Sequence, residues 1–226
     1  MIDHTRHVGI FYAENYSATL IGAGGIGAIT AIALGKMGLG AITIFDTDTV
    51  DDVNIATQFY RLSDIGSLKV AATEKALQAY AGMQENVLTN SLRVGESVVT
   101  LPDDSIIISG VDSIKSRKGI YATVIDNWCA FPGPWRWYID ARMASEFLAV
   151  YVVNYNHRKW YEDTLAGQSD DDIPDEPCTS KATIYTGCIA AGVIGSIVRK
   201  IITGDQRPGI LTYDIIKCEM LWLEMV

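Results

Sequence analysis

The chain has 226 residues, 49% of them hydrophobic and 20% charged, with a formal net charge of −9 at pH 7. That length and apolar content support one full-sized core and exclude disorder over the whole chain, while the negative charge argues against non-specific nucleic-acid binding. No stretch of about 18 apolar residues free of charge is present, nor a basic segment leading into an apolar one, so a soluble cytoplasmic protein without membrane contact is expected.

A short apolar strand at residues 18–22 runs into Gly22-Ala23-Gly24-Gly25-Ile26-Gly27, and an apolar helix follows from Ala28 to Met37, closed by Gly38. A second strand at 41–46 ends on Asp46-Thr47-Asp48. Strand, glycine turn, helix, strand and acid together set a phosphate against a helix N-terminus and bring a carboxylate to a ribose. Asp46 stands 19 residues beyond Gly27, the spacing this arrangement requires. Gly22, Gly24, Gly25 and Gly27 are therefore candidate nucleotide-binding positions, with Asp46 and Asp48 beside them. The plainer alternative is a glycine turn that serves only helix–strand packing.

Further along, residues 67–81 predict a helix rich in Ala, Lys, Glu and Leu, and residues 89–94 and 105–109 predict two more strands. The alternation predicts a doubly wound, mostly parallel α/β sheet of Rossmann type. The second half changes character. Residues 135–140 and 147–153 read as strands of an antiparallel hairpin, and Trp135, Trp137 and Tyr138 alternate as sheet-packing residues do. The acidic, proline-punctuated stretch 163–177 predicts a mobile loop. Thr179 or Ser180 is expected to cap an apolar helix running to about Thr203 and ended by Gly204, before a strand pair within 210–226. No linker divides the chain, so one domain is expected, with a nucleotide-binding half at 1–125 and a second half at 126–226. The four cysteines, Cys129, Cys178, Cys188 and Cys218, form no Cys-x-x-Cys pair, so no zinc is expected; Cys129, Cys188 and Cys218 are read as packing residues.

Residues 50–69 have no purpose in an ordinary dehydrogenase. With the glycine turn they complete a pattern that resembles the ThiF/MoeB/HesA family, relatives of ubiquitin-activating enzymes. The family signature runs Gly-x-Gly-Gly-x-Gly, Asp-x-Asp-x-Val-x-x-x-Asn, Gln, then Asp-x-Gly-x-x-Lys. It is matched at Gly22, Gly24, Gly25, Gly27, Asp46, Asp48, Val50, Asn54, Gln58, Asp64, Gly66 and Lys69. A later element, an Asp beyond a strand with an Arg following, is matched by Asp112 and Arg117. The stretch from Cys178 to Thr186 looks like that of compact bacterial and phage members.

The resemblance implies ATP-dependent adenylation of the C-terminal carboxylate of a ubiquitin-like or sulfur-carrier protein, a small β-grasp protein ending in Gly-Gly. Under it Lys69 meets the phosphates, Asp112 holds Mg²⁺, Asp46 accepts from the ribose, and Asn54 and Gln58, four apart, share a helical face toward phosphate or carboxylate. Arg6 resembles an arginine that reaches the ATP of a neighbouring subunit, which implies a homodimer. Cys178 resembles a cysteine that receives the activated carboxylate, though packing explains it equally. Read without the motif, Lys69 and Arg117 are solvated charges, Asp48 a turn residue, Asp112 a cap for a helix at 113–117, and Asn54 and Gln58 surface positions.

One departure stands out. The family places Arg immediately before the Gln, where this chain has Thr57. Arg61, four residues on, is the expected substitute if the helix is continuous. Two rival functions follow: a non-catalytic nucleotide-binding subunit, which the missing arginine favours, and an NAD-dependent oxidoreductase, which leaves Asn54, Gln58, Lys69 and Asp112 without a shared purpose.

Overall fold

The strands are β1 (Ser17–Ile21), β2 (Ala41–Phe45), β3 (Val87–Asn90), β4 (Ser105–Ser109), β5 (Trp137–Ala144), β6 (Phe147–Asn154), β7 (Gly209–Asp214) and β8 (Glu219–Glu224), of which β2 and β4 are short runs rich in β-branched residues. In this computed structural model, which describes residues 7, 9–97, 99–102, 105–130, 136–170 and 182–225, they make one eight-stranded sheet of order β3-β2-β1-β4-β5-β6-β7-β8. Pairing is parallel from β3 through β5 and antiparallel from β5 through β8. The doubly wound expectation holds, including the antiparallel strands of the second half.

Six helices cover the sheet among the described residues: α1 (Gly27–Lys36), α2 (Asp52–Ile55), α3 (Lys69–Ala81), α4 (Ile114–Ala130), α5 (Arg158–Leu165) and α6 (Ile184–Ile202). Leu34, Leu77 and Ile194, from α1, α3 and α6, share one apolar core with Ile106 and Ile108; Val124, Trp128 and Tyr161, from α4 and α5, share another with Ile107. Adjacent residues of β4 thus point into cores on opposite faces, which is why its run Ile106-Ile107-Ile108 is apolar throughout. By length and composition α6 could cross a membrane. Here it packs on α1, β5 and β6, burying Thr186, Ala190, Ile194 and Val198.

The chain winds outward from β1 to β2 and β3, then returns to the other side of β1 as β4. This reversal opens a crevice at the carboxyl ends of β1 and β4, where open α/β sheets place their ligands.

Three sequence expectations need correction. The third strand is Val87–Asn90, not 89–94, because Val87 pairs with Ile42 and Asn90 with Phe45. The stretch 163–177 is not a loop at its start. Helix α5 runs to Leu165, burying Tyr161 and Leu165 one turn apart, and residues 171–177 lie outside the described residues. Helix α6 begins at Ile184 and is capped by Thr183, whose hydroxyl accepts from the Thr186 N–H at 3.2 Å. Its expected C-terminal stop stands, with Gly204 at φ +76°.

Candidate functional site at the carboxyl edge

The glycine turn between β1 and α1 is built from the backbone. Gly22 adopts φ +95°, where other residues are strained, and its N–H donates to the Phe45 carbonyl at 2.8 Å. A Cβ on Gly27 would lie 1.8 Å from the Gly22 oxygen, so only glycine lets the turn close on the start of α1. Above Gly24 a Cβ would meet nothing within 4 Å, and this part of the turn is open.

Ala23 pins the turn from both sides. Its N–H donates to Asp46 Oδ2 at 2.6 Å, and its carbonyl accepts the Tyr60 hydroxyl. Burial pushes the Tyr60 phenol far above its ordinary range, so it stays a donor. Tyr60 was not legible as a site residue in the sequence: an aromatic after an Asn–Gln turn carries no signal that it reaches back 37 positions to Ala23. Tyr60→Phe leaves the buried carbonyl without its donor. It is expected to lower unfolding stability by about 1–3 kcal/mol in urea titrations, and calorimetry should show weaker ATP binding.

On the β2 side, Asp46 Oδ1 accepts from the Asp48 N–H at 2.7 Å, so backbone donors orient both carboxylate oxygens. The excursion from Val50 to Ser67 is pinched at its base by a Val50 N–H bond to the Ser67 carbonyl at 2.9 Å and a bridge between Thr49 and Leu68. It therefore delivers Lys69, the first residue of α3, back to the end of β2. There the Lys69 N–H donates to the Asp48 carbonyl and its Nζ lies 2.9 Å from Asp48 Oδ2. The lysine is buried rather than solvated, whereas the Asp48 side chain is 58% exposed.

Asn54 and Gln58 do stack on one turn, since the Gln58 N–H donates to the Asn54 carbonyl at 2.8 Å. The Asn54 Oδ1 is committed to a capping box, accepting from the Asp51 N–H. Gln58 Oε1 is buried and has no hydrogen-bond partner among the described residues. This turn abuts the glycine turn, with the Thr57 carbonyl 3.5 Å from where a Gly25 Cβ would stand. The expected substitution by Arg61 loses its structural premise. Helix α2 ends at Ile55 and Arg61 is extended, so no helical face joins it to Thr57. Its guanidinium grips Asp64 through Nε at 3.1 Å and Nη2 at 2.9 Å, and holds that carboxyl below its usual range. In this conformation the guanidinium is paired with Asp64 and half-exposed.

On the β4 side, the Gly110 N–H donates to the Ile21 carbonyl at 2.9 Å, placing Gly110 against Gly22. Asp112 follows two residues later, exposed, and makes no hydrogen bond or ion pair among the described residues. It does not cap α4. Ser113 does so through the Ser116 N–H, together with Asp170, whose Oδ1 accepts from the Ile114 N–H at 2.5 Å. Lys69 beyond β2 and Asp112 beyond β4 thus stand on either side of the turn that follows β1.

Arg117 is no surface charge. It is 4% exposed and donates to the Val111 carbonyl and to Asp140. Asp140 is fully buried and also accepts from Arg142 Nε and the Tyr161 hydroxyl, each at 2.7 Å. Arg142 lies 4.2 Å over the Tyr151 ring. Sequence reading passed over Asp140 and Arg142; the one signal was a charged pair continuing an apolar strand. Arg6 and Cys178 lie outside the described residues. Cys129, Cys188 and Cys218 are exposed, against the expectation of packing roles; Cys218 lies in the turn between β7 and β8. Among the described residues no three His, Cys, Asp or Glu side chains gather as a metal cluster.

The chain matches the ThiF family over residues 9–225. It is 32% identical over 183 residues to a probable molybdopterin-synthase adenylyltransferase of Porphyra purpurea, a match covering 80% of this chain and 45% of that protein. It is 31% identical over 86 residues to ubiquitin-like modifier-activating enzyme 5 of Oryza sativa subsp. japonica, covering 38% of this chain and 20% of that one. The chain therefore spans less than half the length of these curated relatives. Among solved structures, E. coli MccB with ATP superposes with a TM-score of 0.71 at 16% identity, over 94% of this chain and 64% of that one. PaaA superposes with a TM-score of 0.69 at 21% identity, over 94% and 74%. At these identities the superpositions show a shared fold.

Proposed function

Because the chain belongs to the ThiF family, we propose that it uses ATP to adenylate the C-terminal carboxylate of a ubiquitin-like or sulfur-carrier protein and releases pyrophosphate. The observation that carries this reading is the placement of Lys69 and Asp112 on opposite sides of an open glycine turn at the switch point. A carboxylate oxygen attacks the α-phosphorus. The new O–P bond forms as the bond to the β-phosphate bridging oxygen breaks, and pyrophosphate leaves with that electron pair. The protein's task is to position and to neutralise charge, since the reaction asks for no covalent help.

Each residue has a part that suits its surroundings. The first N–H groups of α1 face the phosphates. The Lys69 ammonium, already at the end of β2, turns from Asp48 to the triphosphate or shares both. Asp46, its orientation set by two backbone donors, accepts ribose hydroxyls through its remaining lone pairs. The Gln58 Nε2 can donate to phosphate or to the incoming carboxylate, and its buried Oε1, without a partner among the described residues, is open to a donor. Asp112 fits Mg²⁺, because one uncommitted exposed carboxylate beside the phosphate turn matches an ion that takes few protein ligands. The ion supplies charge neutralisation on the phosphates when bound.

The partner in this reading is a small β-grasp protein ending in Gly-Gly, and Phe147, Leu221 and Leu223, all exposed on one face of β6 to β8, offer it an apolar surface. A homodimer in which Arg6 completes the neighbouring ATP site, a role for Cys178 as acceptor of the activated carboxylate, and a cytoplasmic location belong to the same proposal. A second reading, a nucleotide-binding subunit without activity, is favoured by Thr57 and by the commitment of Arg61 to Asp64.

ATP–pyrophosphate exchange with a Gly-Gly carrier distinguishes the two. Exchange that depends on the carrier is the expected result. Tight ATP binding with no exchange for any such carrier would establish the passive subunit, and NAD binding in place of ATP would overturn both.

A further inference from the structure

Asp112 has no bond of its own among the described residues, so its carboxylate is placed by the backbone that carries it, between β4 and the start of α4. Beyond Asp112 the chain enters the Ser113 cap of α4, and before Asp112 it is held at two points. One is the Gly110 N–H on the Ile21 carbonyl at 2.9 Å, and the other is the Val111 carbonyl on Arg117. Arg117 reaches Val111 with Nη2 and Asp140 with Nη1. A planar guanidinium fixed on two partners sets the distance between them. The Val111 carbonyl is therefore tied to Asp140 in the middle of β5, the residue that pairs with Ser109 at the end of β4. Asp140 is held in turn: Arg142 and Tyr161 occupy its other oxygen, and the Tyr161 hydroxyl stays protonated because burial pushes it well up.

Buried ion pairs are a poor source of stability, since desolvation offsets most of the attraction. What this group does supply is geometry at the loop carrying Asp112. We propose that Asp140 is a positioning residue, acting through Arg117 and the Val111 carbonyl to hold Asp112 where a divalent cation bound to ATP needs it. This inference rests on the adenylation reading, and its test separates the two.

Arg117→Lys keeps a positive charge beside Asp140 but cannot bridge to Val111 with a fixed fork. The Mg²⁺ concentration giving half-maximal ATP–pyrophosphate exchange is expected to rise about tenfold, as changes behind a metal ligand typically do. The KM for ATP at saturating Mg²⁺ should move less than about twofold. Independently of turnover, Mn²⁺ titrated into the protein with a non-hydrolysable ATP analogue, followed by electron paramagnetic resonance, should bind about tenfold more weakly in the variant. Asp140→Asn, which keeps the shape, should shift both readouts the same way. A lowered melting temperature with unchanged Mg²⁺ and Mn²⁺ profiles would make the group purely structural and overturn the proposal, as would failure of Mn²⁺ to bind the native protein with nucleotide. If the native protein binds Mn²⁺ and nucleotide but shows no exchange, the adenylation reading fails while the Mn²⁺ comparison still decides the role of Asp140.

Discussion

Replacing Lys69 with alanine is expected to lower ATP–pyrophosphate exchange about 10²- to 10³-fold, the usual cost of removing one preorganised donor from developing negative charge. The size follows from how few cations the site holds. Thr57 stands where the family has arginine, and Arg61 is bound to Asp64. Lys69 is the cation that the Val50–Ser67 excursion delivers to the end of β2. The fold should survive, because Asp48, the partner left behind, is 58% exposed and regains water, and such pairs contribute about 0–1 kcal/mol. The combination of a near-native melting curve with collapsed exchange is therefore the signature. Exchange within about fivefold of the native rate would remove Lys69 from the phosphate site.

The largest stability effect is expected at Asp140. Its carboxylate balances Arg117 and Arg142 at a position with no solvent exposure. Asp140→Ala leaves two guanidinium groups without their shared counter-ion, and one of them, Arg117, is only 4% exposed. Breaking a buried pair in this way costs about 3–5 kcal/mol, a large share of the roughly 5–15 kcal/mol that holds a domain folded. Urea titration should show a correspondingly earlier midpoint, with the slope unchanged if both ends of the transition are preserved. A midpoint within experimental error of the native protein would mean that water reaches the arginines, and the rigid account of the Asp112 loop would go with it.

The two halves of the molecule differ in how openly their sequence declares them. Around the glycine turn, each structural requirement is local. Gly22 needs a left-handed backbone, Gly27 needs the absence of a Cβ, and a mostly apolar helix of ten residues, ending on Lys36, follows as α1. The errors begin where two local choices have similar energies. Thr179, Ser180 and Thr183 are all able to cap α6. Thr183 does so because a bridge between Ser145 and Ala182 brings the chain in at that point. The α5 helix carried a readable signal, Tyr161 and Leu165 one turn apart, but the acidic composition around it masked the period.

The charged residues divide along the same line. Arg61 has a partner three residues away, and its guanidinium lies on that local partner. Tyr60 and Asp140 are the reverse case. Tyr60 meets Ala23, 37 positions away, and Asp140 meets Arg117, 23 positions away; only the nearby Arg142 hinted at the second of these. Spacing of glycine, acid and apolar residues was enough to specify the glycine turn, the winding of the sheet and the family, because those depend on backbone sterics and on which side of each element is apolar. Which side chains hold that turn and the Asp112 loop in place emerged only on folding, because a buried polar group takes whatever partner the packed elements bring within hydrogen-bond reach, and sequence distance has no bearing on that choice.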